Sequence, residues 1–309
     1  MRQSPSFTAD AALLARAHGA LHPDPRLRNP DGLARRFLRG HYRYLLWPWI
    51  RRRTVPAFEK RSPGVYFEHQ ARTHCLDAYV KAELAAGAGQ LVILGAGFDT
   101  RAYRLVDGAS PVRVFEVDHP LTAAEKRRRV KEVLGAEPPH VTYVSVDFTR
   151  ETIEGALVNA GFSKAVRTVF LWEGVTPYLD DASVDATLSF VGRSAPLSAI
   201  AFDYLHADAL KSPDPRMKLT LASVAELGEP YTFAVNPDEV DALLERNGLQ
   251  FVENIDAQAL TRRHLTGKDG HVWGYLLESM CIAIARAGES TGGDRSAHSP
   301  IGDGNNRGH

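Results

Sequence analysis

The 309-residue chain predicts an α/β protein built on a doubly wound, mostly parallel sheet. Three observations carry this. From residue 90 onward, short apolar runs alternate with stretches of helical periodicity. The runs are continuous rather than alternating, as strands buried on both faces are. The candidate functional residues follow the ends of those runs, and open parallel sheets bind ligands outside the carboxyl ends of their strands.

Residues 8–19 and 31–46 have helical spacing, and Pro23, Pro25 and Pro30 separate them. Trp47-Pro48-Trp49 and Pro56 are expected to break the second helix. A third helix runs from Glu68 to Ala86 with Ala71, Cys75, Ala78, Tyr79 and Ala82 on one stripe, and ends at Gly87 and Gly89. Strand one is 91–94 and strand two 112–116, followed by a helix over 121–134 that stops at Gly135. Strand three is 141–144, running on to Asp147-Phe148, and the next helix covers 151–160. Strand four is 168–171, and a helix over 181–192 takes Asp180 or Asp181 as its N-cap. Strand five, 198–202, ends at Asp203-Tyr204. Residues 217–227 read as helix, as do 238–246 behind Pro237, with Asn247-Gly248 as the stop. The runs 249–252 and 275–285 read as an antiparallel pair completing the sheet. Residues 288–309 have almost nothing to bury and read as a disordered tail.

Lysines and arginines number 37 and so do the acids, which argues against a nucleic-acid partner. The local exception is 26–61, where arginines meet few acids; it reads as a solvated face or as a basic lip over an anionic substrate. Cys75 and Cys281 stand alone and far apart, so no disulfide framework is expected and a reducing, cytoplasmic setting fits. The histidines show no metal-site spacing, and no metal is expected. The N-terminus has no signal-peptide core and no apolar run is long enough to span a bilayer, so no membrane partner is expected either.

The glycine turn after strand one is the most informative segment. Gly95 and Gly97 permit a tight turn and close approach of a ligand to the backbone. A dinucleotide fingerprint needs a third glycine at position 100, where Thr100 stands, and Asp99 would repel a pyrophosphate. A ligand with a cationic head suits the turn better, such as the amino-acid end of S-adenosyl-L-methionine. Glu116 and Asp118, at the end of strand two, are positioned to meet ribose hydroxyls. Asp99, Glu116, Asp118, Asp147, Glu173 and Asp203 would together make one strongly anionic edge. Helix capping is the alternative for each acid taken singly, Asp99 included, and a plain structural turn is the alternative for the GxG.

The segments Leu94-Gly95-Ala96-Gly97-Phe98-Asp99-Thr100-Arg101, Phe115-Glu116-Val117-Asp118-His119-Pro120, Asp147-Phe148 and Glu173-Gly174-Val175 with Tyr178 resemble the leucine carboxyl methyltransferase family over roughly residues 10–285. The resemblance implies a Rossmann-like class I methyltransferase that uses S-adenosyl-L-methionine, with a seven-stranded sheet and a C-terminal antiparallel strand. It implies a helical lid and substrate segment over 1–67 and a core over 68–287. It implies that Arg72 grips the methionine carboxylate, Gly95 lies under the methionine moiety and Asp118 meets the ribose. Asp147 and Phe148 would frame the adenine, Glu173 would line the donor site and Tyr178 would face the substrate. The family's N-terminal lysine has no clear match here.

Methyl transfer from a sulfonium is an in-line displacement in which the protein mainly positions two partners. A carboxylate acceptor is already ionised at neutral pH and needs a clamp, for which Arg101, Arg104 and the basic run are candidates. A phenol acceptor needs a base, and His119 and His206 follow strands two and five. The plainer roles are surface salt bridges for the arginines, solvated loops for the histidines, and core packing for Trp47, Trp49, Phe58, Tyr66 and Phe67. The function expected is O-methylation of a small-molecule acid in specialised metabolism. The alternatives are a phenol or hydroxyl acceptor, or a non-catalytic binder of S-adenosyl-L-methionine.

Overall fold

The computed structural model describes residues 7–146, 151–226 and 228–288. Strands β1 (Gln90–Leu94), β2 (Arg113–Asp118), β3 (Val141–Ser145), β4 (Thr168–Trp172), β5 (Ala199–Leu205), β6 (Leu249–Ile255) and β7 (Met280–Ala287) form one sheet in the order β3-β2-β1-β4-β5-β7-β6. The first five are parallel, and β7 runs antiparallel between β5 and β6. The order reverses between β1 and β4, so the switch point opens at the carboxyl end of β1.

Alternation along each strand explains the continuous apolar runs. Val92, Leu94, Phe115, Val117, Phe170, Trp172 and Phe202 point to one face, toward α7 (Ile153–Asn159), α8 (Asp181–Gly192) and α10 (Val240–Arg246). Leu91, Ile93, Val114, Val169, Leu171 and Ala201 point to the other, where α4 (Val65–Ala85) lays down Ala71, Cys75, Leu76, Tyr79 and Val80. Each large side chain so buried contributes about 1.5–3 kcal/mol. Helix α5 (Arg101–Arg104) follows the glycine turn after β1, and α9 (Pro215–Glu226) follows β5. The helices start where the sequence supplies caps: Asp180 accepts the Ser183 N–H at 2.7 Å to open α8, and Pro120 occupies the first turn of α6 (Pro120–Leu134).

The N-terminal quarter departs from expectation. α1 (Phe7–Gly19) forms as read, but 31–46 splits into α2 (Ala34–Phe37) and a 3-10 segment, Gly40–Leu46. Leu38 is extended between them, and Phe37 and Leu38 are both buried. Pro48 opens a helix instead of ending one: α3 (Pro48–Arg61) carries it in the first turn and tolerates Pro56 inside. Pro56 and Arg52, whose carbonyl loses its partner, both lie on the exposed side, where water can take the bond. At the other end, β7 starts at Met280, five residues later than Tyr275, because the preceding stretch is irregular.

Candidate functional site

A cavity of about 1350 Å³ opens at the switch point. The loop after β1 forms its floor. Gly95 has φ +63°, and a Cβ there would stand 2.3 Å from Val175 Cγ2, so only glycine fits. Gly97, at φ +42°, donates its N–H to Asp118 Oδ2 at 2.5 Å. Asp118 Oδ1 accepts the His119 N–H at 2.6 Å, which fixes the carboxylate at the end of β2 on the cavity wall.

Arg72, from α4, is the hub of the opposite wall. It is 6% exposed and reaches Glu173 Oε1 at 2.9 Å through Nε, and Glu68 Oε1 and Asp203 Oδ2 at 2.5 Å each through Nη1. Its Nη2 lies 3.1 Å from His69 Nδ1. Asp203 also accepts the Gly174 N–H at 2.8 Å, tying β5 to the loop after β4. Burial alone would push the Glu173 carboxyl up, but Arg101 and Arg72 overcome it and hold it well below the usual carboxylate range. Burial dominates at Glu68, which is raised to about 7 against the pull of Arg72, and at Asp203, which is also raised. His69 is held well below its usual value by burial and then by Arg72 and Arg16, so it is neutral.

Asp99, Asp118, Glu173 and Asp203 therefore come to one cavity from the ends of four strands, with Gly95, Gly97, Arg72 and Tyr178. Glu116 does not join them. It lies outside the cavity lining, paired with Lys126 Nζ at 2.8 Å and accepting the Tyr103 O–H at 2.9 Å, as a core ion pair. Asp99 reaches the cavity and also performs the local turn role, accepting the Arg101 N–H at 2.6 Å.

Two of the residues read as catalytic lie elsewhere. Arg101 is 2% exposed behind the wall, donating to Asp77 at 2.7 Å and to Asp99 and Glu173 at 2.5 Å each, so it positions acids and cannot clamp an acceptor. Arg104 is likewise spent on Asp77. His206 lines a separate cavity of about 460 Å³, its Nε2 3.0 Å from Cys281 Sγ, because β5 carries it past the switch point. His119 lines the main cavity beside Asp118. Asp147 and Phe148 fall outside the described residues.

Sequence reasoning missed Arg16, Glu68, His69 and Tyr231, all of which line the cavity. Arg16 donates to Asp31 at 2.9 Å and to the Phe98 carbonyl at 2.8 Å, bringing α1 onto the glycine loop. Its signal was a charge between Leu13 and Ala17 on a buried stripe. Glu68 and Arg72 form an i,i+4 pair on the apolar face of α4. Tyr231 meets Tyr178 edge to face, ring centroids 5.2 Å apart, and burial pushes the Tyr178 hydroxyl up to about 12.

The donor set fits S-adenosyl-L-methionine and not a dinucleotide. The acids suit ribose hydroxyls and an ammonium, Arg72 offers a partner for a carboxylate, and the glycine backbone allows close approach. Among the described residues no group of His, Cys, Asp and Glu could hold a metal, and no helix is long and apolar enough to cross a membrane.

Comparison with known proteins agrees with this chemistry. The chain is 33% identical over 190 residues to YktD of Bacillus subtilis (strain 168), named as a candidate S-adenosyl-L-methionine-dependent methyltransferase, covering 60% of this chain and 62% of that protein. A similarly named protein of Mycobacterium bovis (strain BCG / Pasteur 1173P2) is 39% identical over 147 residues, covering 47% of this chain and 46% of that one. The matched segments thus span less than two thirds of those two relatives. A relative in Mycolicibacterium paratuberculosis (strain ATCC BAA-968 / K-10), again named as a candidate methyltransferase of this kind, is 31% identical over 260 residues, 82% of each chain. The fold matches that of a candidate methyltransferase from Thermobifida fusca YX, with TM-score 0.59 at 17% identity over 92% of this chain and 96% of that one. It also matches a DUF574-family protein from Streptomyces avermitilis MA-4680, with TM-score 0.58 at 15% identity over 92% and 98%. The family model described as leucine carboxyl methyltransferase matches residues 11–192. By sequence, sheet order and site, the chain belongs to the leucine carboxyl methyltransferase family, and its cofactor is S-adenosyl-L-methionine.

Proposed function

We propose that this chain is an S-adenosyl-L-methionine-dependent O-methyltransferase that esterifies a carboxylate on a small, largely apolar acceptor of specialised metabolism. The observation that carries the carboxyl assignment is the absence, among the described residues, of a histidine base on the acceptor side. Tyr178, Tyr231, Phe58, Val65 and Met280 line that side, His206 is outside it, His69 is tied to Arg72, and His119 stands beside Asp118, the residue assigned to the ribose. An ionised carboxylate needs no base.

When bound, S-adenosyl-L-methionine supplies an electrophilic methyl group. Arg72 is assigned its carboxylate, Asp118 its ribose and the Gly95–Gly97 backbone its close approach, with Glu173 and Asp203 on the ammonium. The Tyr178 and Tyr231 hydroxyls, kept protonated by burial, would orient the acceptor carboxylate as donors. The apolar wall strips water from that carboxylate and raises its reactivity. Tyr42, Phe58 and Arg61 bring residues from the first 67 to the cavity, in keeping with a substrate-binding role for that segment over a core of 68–287. Two buried free cysteines accord with a cytoplasmic location.

A phenol acceptor is the second reading, and Glu68 is the feature that favours it. Glu68 lines the cavity with a carboxyl raised to about 7, a value suited to a general base.

Calorimetric titration with S-adenosylhomocysteine, on wild type and Asp118→Ala and with NADH as control, tests the cofactor assignment. A loss of about ten- to a hundredfold in the variant is expected, and a preference for NADH would overturn the reading. Turnover on a panel of acids and phenols then separates the acceptors. A carboxyl substrate gives a rate that does not depend on a base ionising near neutrality, whereas a phenol gives a rate that rises through about pH 7 in wild type and falls sharply in Glu68→Gln.

A further inference from the structure

The basic run has a structural context that its sequence did not reveal. From Arg35 to Arg61 there are nine arginines and lysines against one acid, Glu59. Glu59 is turned inward, accepting the Gly64 and Tyr66 N–H groups at 2.8 and 3.1 Å. Among the described residues, Arg35, Arg36, Arg43, Arg52 and Arg53 have no acidic partner; Arg36 and Arg43 donate only to backbone carbonyls. All five are exposed. Within the same segment, Tyr44, Trp47 and Trp49 are 58%, 50% and 63% exposed, where rings of this size are normally buried. The three form a contiguous patch, with centroids 5.5 Å apart from Tyr44 to Trp47 and 6.2 Å from Trp47 to Trp49. Along α3, Trp49, Arg52, Arg53, Pro56 and Lys60 fall on one exposed stripe, while Val55 and Phe58 turn inward.

We propose that this outer face, from Arg35 to Lys60, docks on the surface of an anionic phospholipid bilayer. Tryptophan and tyrosine sit at headgroup level because their rings are apolar with one polar edge, and arginines around them meet lipid phosphates. The segment has both, and its one acid, Glu59, is turned inward. Nucleic acid is the weaker match. The aromatic rings pack against one another at 80° and 62° and do not present parallel faces for successive bases. This is peripheral docking, distinct from a span, and it departs from the expectation of no membrane partner. It stands apart from the methyl-transfer reading, although Tyr42, Phe58 and Arg61 of the same segment line the cavity.

The test is co-sedimentation of the full chain with vesicles of phosphatidylcholine alone and of equal parts phosphatidylglycerol and phosphatidylcholine, with tryptophan emission as a second readout. Single-stranded RNA and polyglutamate serve as competing polyanions. Wild type is expected to partition onto the phosphatidylglycerol vesicles with a blue-shifted emission, to release at high salt, and to ignore phosphatidylcholine. Arg52→Glu/Arg53→Glu should weaken partitioning about tenfold or more, and Trp47→Ala/Trp49→Ala should weaken it and lose the blue shift. Both variants should keep wild-type circular dichroism and S-adenosylhomocysteine affinity, because the altered residues lie outside the cavity. Failure to bind the anionic vesicles, unchanged binding in the variants, or tighter binding to RNA or polyglutamate than to vesicles of equal charge would overturn the proposal.

Discussion

Arg52 and Arg72 are twenty positions apart in the chain and in opposite circumstances. Arg72 is 6% exposed and holds three carboxylates from α4, the β4 loop and β5. Arg52 is exposed on a stripe with Trp49 and Arg53 and has no acidic partner among the described residues. The first charge is paired inside the molecule and lines the cavity, so changing it alters the fold and the cofactor site together. The second is uncommitted, so changing it alters only what the surface meets. The lesson is that charge in this protein is best sorted by what pairs with it: the balanced total of 37 and 37 conceals a tightly paired interior and an unpaired outer face.

The largest effect should come from breaking the interior. Arg72→Ala leaves Glu68 and Asp203 buried without their cation and Glu173 with Arg101 alone, which costs about 3–5 kcal/mol. Urea unfolding should show that loss, and S-adenosylhomocysteine binding should fall below detection. A variant of unchanged stability would mean that the acids are held by something else. Gly95→Ala comes next. Its Cβ meets Val175 at 2.3 Å in a left-handed backbone position, so about 1–3 kcal/mol of strain and weakened cofactor binding are expected. Retained full affinity would show that the loop yields.

Titration sharpens the same comparison at smaller cost. Glu68 is raised to about 7 from an ordinary 4.5, so the fold favours its protonated form. Its contribution is fully present below the unfolded value and is lost as pH rises through about 7. Glu173 is shifted the other way, and its contribution is lost as pH falls below the ordinary carboxylate range. The urea midpoint of the cofactor-free protein should therefore decline between about pH 5 and about pH 8, and Glu68→Gln should flatten that decline. An identical slope in both proteins would remove Glu68 from the account. The smallest effect belongs to the outer face: Trp47→Ala should change stability within about ±0.5 kcal/mol, and a larger loss would reveal a packing role.

The sheet was legible because a strand buried on both faces must be apolar throughout, as 91–94, 169–171 and 199–202 are, and because helical stretches alternate with them. The acids at the strand ends were legible for the same reason, since each stands where an apolar run stops. Glu116 shows the limit of that logic. It precedes Asp118 by two residues and points to the same side of β2, yet Lys126 on α6 captures it, and nothing near it in sequence announces that pairing. Arg101 and His206 failed similarly, because a position near a strand end does not say which side of the wall a long side chain takes. The N-terminal segment was least legible. Proline reads oppositely at a helix start and inside a helix, and α3 holds one of each, Pro48 and Pro56.

The reach of Arg72 also bears on the order in which the molecule can be assembled. Its contact with Asp203 spans 131 positions, whereas its contact with Glu68 spans four. During synthesis α4 and the glycine loop emerge long before β5 does, so an early cluster can contain Arg72, Glu68 and later Glu173 but not Asp203. The segment matched by the family model ends at residue 192, before that last carboxylate. A ribosome-stalled chain of that length would carry most of the recognisable sequence and still lack a finished cofactor wall. Competence to hold the cofactor should appear abruptly once β5 has cleared the exit tunnel.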